Sequence, residues 1–146
     1  MADAAWNLLV ANRLAFSGII KGGCLSNPKA RWNSNNLKKR ILAINEYAEH
    51  IHVSCMDACE YIEEMYWFPN ATIFIDPPYK MKGKALYQLN YSDSDHEKLA
   101  FLLDELYKGV PGADMLVTYD FCDFTRQLFQ FPKEQLMNRI YSCAKR

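Results

Sequence analysis

Several things are missing from this 146-residue chain, and each absence excludes something. No run is long and apolar enough to cross a bilayer, and the opening residues lack a basic stretch followed by an apolar core, so neither a membrane span nor a signal peptide is expected. A cytoplasmic protein follows. The five cysteines, Cys24, Cys55, Cys59, Cys122 and Cys143, are odd in number and contain no CxxC pair. That scatter suits reduced thiols better than a disulfide framework. A metal site is not expected either: His50 and His52 form an HxH pair, which alternate solvent-facing strand positions explain. There is no internal repeat and no low-complexity segment.

Acids are also missing from one long interval. Between Asp3 and Glu46 there is none, while Arg13, Lys21, Lys29, Arg31, Lys38, Lys39 and Arg40 all fall there. The net charge is +0, which alone argues against a nucleic-acid partner. Its segregation argues differently, because a basic stretch at residues 12–40 is the footprint of a phosphate-facing region. A solvated helix face plus a basic loop accounts for the same pattern.

What is present suits one core, and a single domain over 1–146 is expected, since 50% of the residues are hydrophobic. Ala5 to Leu14 is predicted helical, with Trp6, Leu9, Val10 and Leu14 at helical spacing. Lys21 to Asn36 is a loop or hairpin of Gly, Asn, Ser and Pro with basic residues between. Leu37, Ile41, Ile44 and Ala48 mark an amphipathic helix with an Asn or Ser cap before it. Ile51 to Cys55 alternates as a strand with one wet face does. Ala58 to Met65 is a predicted helix. Ser94 and Glu97 have capping-box spacing for a helix bearing Leu99, Leu102, Leu103 and Leu106, stopped by Gly109 and Pro111. Met115 to Tyr119 has the pattern of a buried strand; a short helix near Phe124 to Phe129 and a strand around Arg139 to Ser142 close the chain. Alternating strands and helices make the class α/β with a mostly parallel sheet.

The chain is organised around Ala71 to Tyr79, ATIFIDPPY. Ala71 to Ile75 is apolar and rich in β-branched residues, the pattern of a strand buried on both faces. Pro77 and Pro78 then end the ladder in a fixed direction and push the residue before each out of the α region, which pins Asp76. An acid and the Tyr79 ring are thereby held at the carboxyl end of a central strand, where open α/β sheets bind ligands. Such a corner suits methylation of an exocyclic amine on a nucleobase, whose lone pair is delocalised into the ring. The Asp76 carboxylate and the Pro77 C=O can each accept one N–H, favouring a pyramidal nitrogen and stabilising charge as the methyl arrives. Tyr79 can stack on an extruded base. A strand followed by a proline turn with an incidental acid is the plainer reading of the same four letters.

The run IFIDPPYKMKGKALYQLNYSDSDHEKLAFLLDEL, followed after a Gly/Pro-containing link by MLVTYD, resembles the Dam-like class of DNA adenine methyltransferases, which use S-adenosylmethionine to methylate the adenine exocyclic amine. Upstream, NRLAFSGIIKGG and RWNSNNLKKRI look like the segment that such enzymes place between their cofactor-binding and catalytic halves, where the DNA contacts lie. The resemblance covers most of the chain. It implies that Asp76, Pro77, Pro78 and Tyr79 hold the target adenine and that Asp76 lies near the methyl donor. It matches Asp57 to a position close to the cofactor's adenine, a residue that reads equally as a helix N-cap. It implies that Arg13, Lys21, Lys29 and Arg31 touch double-stranded DNA, mostly at phosphates, which set affinity and register rather than sequence choice.

The family's opening lysine-containing motif, its FxGxG turn and the acid closing its second strand have no counterpart here; Gly22 and Gly23 sit in the basic loop. The expectation is therefore the carboxyl-terminal part of such an enzyme: a partial Rossmann-like methyltransferase sheet lacking its first two strands and the glycine-rich cofactor turn. Those strands lie between the third and fourth in the family's sheet, so Ile51 to Cys55 and Ala71 to Ile75 should flank a gap two strands wide, at about 4.8 Å per strand. Three outcomes are expected of such a gap: pairing with a separately encoded amino-terminal fragment, self-association, or direct re-pairing of the strands. The function expected is site-specific DNA adenine methylation. The alternative is a catalytically inactive remnant or a DNA-binding module without cofactor affinity, and a third reading takes RNA or a protein amide as substrate.

Overall fold

The computed structural model describes residues 2–15, 32–81, 91–130 and 133–138. They belong to two compact units, Met1–Cys55 and Met56–Arg146. Among the described residues no helix is long and apolar enough to cross a membrane. Lys21, Lys29, Arg31 and the strand expected at Arg139 to Ser142 lie outside the described residues.

The first unit holds α1 (Ala2–Leu14), α2 (Ser34–Asn45) and a single 3-10 turn at Ala48–His50. Asn33 starts α2, its side-chain oxygen accepting the Asn36 N–H at 2.9 Å, so the cap expected from the sequence is present and the helix begins three residues before Leu37. Neither helix buries a residue. Their apolar residues instead line a groove of about 340 Å3 formed by Trp6, Leu9, Trp32, Leu37, Ile41 and Leu42, where the two tryptophan rings meet edge to face at 5.9 Å. Ile51 to Cys55, expected as a strand, forms none and is exposed throughout, Val53 at 92%. A strand is stable only when a neighbour pairs its N–H and C=O groups. Alternation is present here without a described pairing partner.

The second unit runs α3 (Ala58–Tyr66), β1 (Thr72–Ile75), α4 (Asp93–Lys108), β2 (Asp114–Val117) and α5 (Asp123–Leu128). β1 and β2 are parallel, in register from Thr72 opposite Asp114 to Ile75 opposite Val117, a partial Rossmann-like α/β arrangement with α4 as the crossover. Ile62, Tyr66, Ile73, Ile75, Leu99, Leu103 and Ala113 form the core. Among the described residues the sheet is buried on one face only. Ile73 and Ile75 are covered, while Phe74 and Leu116 are exposed. This corrects the expectation of strands buried on both faces: an apolar run records what a strand tolerates, and among the described residues helices cover only one side.

Local chemistry sets the remaining ends. The capping box opening α4 is Ser92 with Asp95, not Ser94 with Glu97. The Ser92 N–H donates to Asp95 Oδ2 at 2.8 Å, and the Asp95 N–H donates to Ser92 Oγ at 3.3 Å. The helix starts two residues earlier than expected, and a carboxylate one carbon shorter does the work of the glutamate. At the other end, the Tyr66 hydroxyl donates to the carbonyls of Leu106 and Val110 at 2.7 and 2.9 Å, tying α3 to the exit of α4. The Ala113 N–H donates to the Tyr66 carbonyl at 2.8 Å. That approach requires glycine at 112, where a Cβ would sit 2.4 Å from the same carbonyl oxygen.

Candidate active site

The ladder continues one step past the regular strands, the Thr118 N–H donating to the Ile75 carbonyl at 3.0 Å. That step sets Thr118 beside Asp76, and the Thr118 hydroxyl donates to Asp76 Oδ1 at 2.6 Å. Asp76 is exposed, Pro77 is buried, and Pro78, Tyr79 and Lys80 are half-buried. Beyond Tyr79, the Asp120 carboxylate accepts the N–H groups of Lys80 and Met81, at 3.1 and 2.7 Å. The Lys80 ammonium pairs with Asp93 and lies 4.3 Å from the centre of the Phe124 ring. The DPPY turn is thus held on its far side by side chains from the exit of β2.

Between Thr118 and Asp120, Tyr119 makes a third tie. Its hydroxyl lies 2.5 Å from Nδ1 of His96, a buried imidazole with the rings of Tyr91, Tyr119 and Phe124 around it. Burial lowers the His96 pKa below its usual value, with nearby Lys80 adding to the effect. Burial raises Tyr119 well above the ordinary phenol range, and raises Tyr91 as well. Both phenols therefore stay protonated at neutral pH.

A hollow of about 330 Å3 opens along this corner, lined by Ala58, Tyr61, Ile62, consecutive residues Ile73 to Pro78, and Tyr91. Because β2 occupies one margin of β1, a hollow touching six successive residues of that strand and its turn follows the other margin. Asp76, Pro77 and Pro78 are brought together in its wall; Tyr79 belongs to the same turn but is not a lining residue. Asp57 caps α3, its Oδ1 accepting from Cys59 and Glu60 N–H groups at 2.9 and 3.4 Å, and its neighbour Ala58 lines the hollow. Arg13 lies in the last turn of α1, in the first unit, half-buried with an Nε that has no hydrogen-bond partner among the described residues.

Reasoning from the sequence missed Thr118 and Asp120 as supports of the turn and Tyr61 and Tyr91 as walls. The signal for the first two was the TYD run at the end of a predicted strand. Nothing in sequence spacing marks Tyr61 or Tyr91. In comparisons with known proteins, residues 4–143 match the family described as D12 class N6 adenine-specific DNA methyltransferase. No curated protein and no solved structure matches the chain.

Proposed function

The chain belongs to the D12 class N6 adenine-specific DNA methyltransferase family, and from that we propose that its Asp76–Tyr79 corner receives the exocyclic amine of an adenine swung out of a DNA duplex. The observation that carries this reading is the hollow of about 330 Å3 with Asp76, Pro77 and Pro78 in its wall, within the roughly 300–1,000 Å3 range of small-molecule sites. Asp76 and the Pro77 carbonyl each accept one N–H of the amine, drawing its lone pair out of conjugation and stabilising the charge that develops on nitrogen. Tyr79 stacks on the base. No base strong enough to deprotonate the amine beforehand is needed, since the nitrogen sheds its proton after transfer. Arg13, Lys21, Lys29 and Arg31, from the basic segment 12–40, hold phosphates of the duplex.

S-adenosylmethionine supplies the methyl group as an electrophile bound to sulfur. The residues present fit its reactive end: the hollow joins the Asp76 carboxylate, complementary to a sulfonium, with the rings of Tyr61 and Tyr91, and Asp57 lies one residue from the wall. Its remaining contacts need a glycine turn that the described residues do not contain; Gly109 and Gly112 lie ahead of β2, at the end of the sheet opposite the corner. We infer that the margin of β1 left open among the described residues is where those remaining contacts are made.

That missing glycine turn also favours a second reading, a DNA-binding module without cofactor affinity. Calorimetric titration with S-adenosylmethionine separates the two. Heat of binding and methyl transfer to adenine-containing duplex support the enzyme, whereas duplex binding with neither leaves only the module.

A further inference from the structure

Asp76 has two carboxylate oxygens, and one already has a partner. Oδ1 accepts the Thr118 hydroxyl at 2.6 Å, across a step where the register of β1 and β2 and the Thr118 N–H to Ile75 carbonyl bond leave little freedom. Asp120 holds the next stretch of the same turn through two N–H groups, and Tyr119 between them is tied to buried His96. Three consecutive residues at the exit of β2 thus make three separate ties, two of them directly to the turn. An exposed carboxylate without such a tie rotates about its side-chain torsions, and each rotation moves its oxygens relative to an approaching amine.

We propose that Thr118 is a positioning residue: by donating to Oδ1 of Asp76 it turns Oδ2 toward the substrate amine, while Asp120 fixes the backbone beyond Tyr79 so that the ring and the carboxylate keep one relative placement. This rests on the reading of the corner as the adenine site. Thr118 touches no reacting atom. Its contribution is orientation, which appears in the rate of the chemical step and not in affinity for the duplex.

The test is steady-state methyl transfer from labelled S-adenosylmethionine to an adenine-containing duplex by the intact chain. Thr118→Val removes the hydroxyl at nearly constant volume, and Thr118→Ala, which makes no demand on packing, is read in the same way. Either is expected to lower kcat roughly ten- to a hundred-fold, as misplacement of a catalytic group does, with the KM for duplex within about threefold of wild type, the pattern of an interaction made only in the transition state. Thr118→Ser keeps a donor oxygen and is expected to restore kcat to within about threefold on the same ground. A Val or Ala variant with unchanged kcat overturns the proposal and leaves the adenine site standing. So does a Ser variant as slow as Val, which would mark the role as packing. A wild-type chain that transfers no methyl overturns the adenine site and this proposal together.

Discussion

Phe74 on β1 and Leu116 on β2 are register partners, and both remain open, 61% and 55% exposed. Two large apolar side chains side by side, on a sheet face left uncovered among the described residues, make a patch that favours association. Replacing both with threonine, which keeps β propensity, is expected to reduce light scattering of the concentrated chain. The urea midpoint should move by no more than about 1 kcal/mol equivalent, as at an exposed site. A loss of several kcal/mol would show that this face is covered in solution.

Gly112 is fixed by the Tyr66 carbonyl. A Cβ there would lie 2.4 Å from a backbone oxygen, which cannot swing aside as a side-chain tip can. Gly112→Ala is therefore expected to destabilise the second unit by about 1–3 kcal/mol, the usual range for overpacking, read as a lowered denaturant midpoint. An unchanged midpoint would mean that the Ala113 to Tyr66 bond does not persist.

The buried His96 gives stability a defined pH dependence. Its folded pKa is lowered, by burial first and Lys80 second. Above roughly pH 7 both states leave the imidazole neutral. As pH falls through about 6.5, the unfolded chain takes up the proton first, so stability drops, by at most about 1.4 kcal/mol per pH unit for one proton, until the lowered folded pKa is passed. Unfolding midpoints at pH 7.5 and 5.5 should show this decline, and His96→Phe, which keeps a ring in the same surroundings, should flatten it. A slope that persists in the variant assigns the titration elsewhere.

The α/β class, the helices and the DPPY corner were legible because each rests on local signals: a cap at Asn33, helical spacing around Leu99 and Leu103, two prolines ending an apolar run. Ile51 to Cys55 was not, since alternation specifies a strand only when a partner exists, and here none is described. The buried-strand patterns of Ala71 to Ile75 and Met115 to Tyr119 overstated burial for a related reason: Phe74 and Leu116 record a neighbouring layer that the described residues do not supply. Asp57 was readable both as a cap and as a cofactor contact, and the structure puts it at the start of α3 as a cap, one residue from the hollow. Thr118 and Asp120 became visible only through the parallel register, which brings residues about 40 positions apart to hydrogen-bond distance.

Methyl transfer to an adenine amine held by Asp76 is the central claim. The intact chain is incubated with labelled S-adenosylmethionine and adenine-containing duplex, wild type beside Asp76→Ala, and the DNA is analysed for N6-methyladenine while duplex binding is followed in parallel. The expected result is N6-methyladenine with the wild type and none with Asp76→Ala, with duplex affinity within a few-fold of the wild type, because the carboxylate acts on the amine and not on the phosphates. An Asp76→Ala chain that still methylates adenine, or a wild type that binds duplex and leaves it unmethylated, would contradict the account.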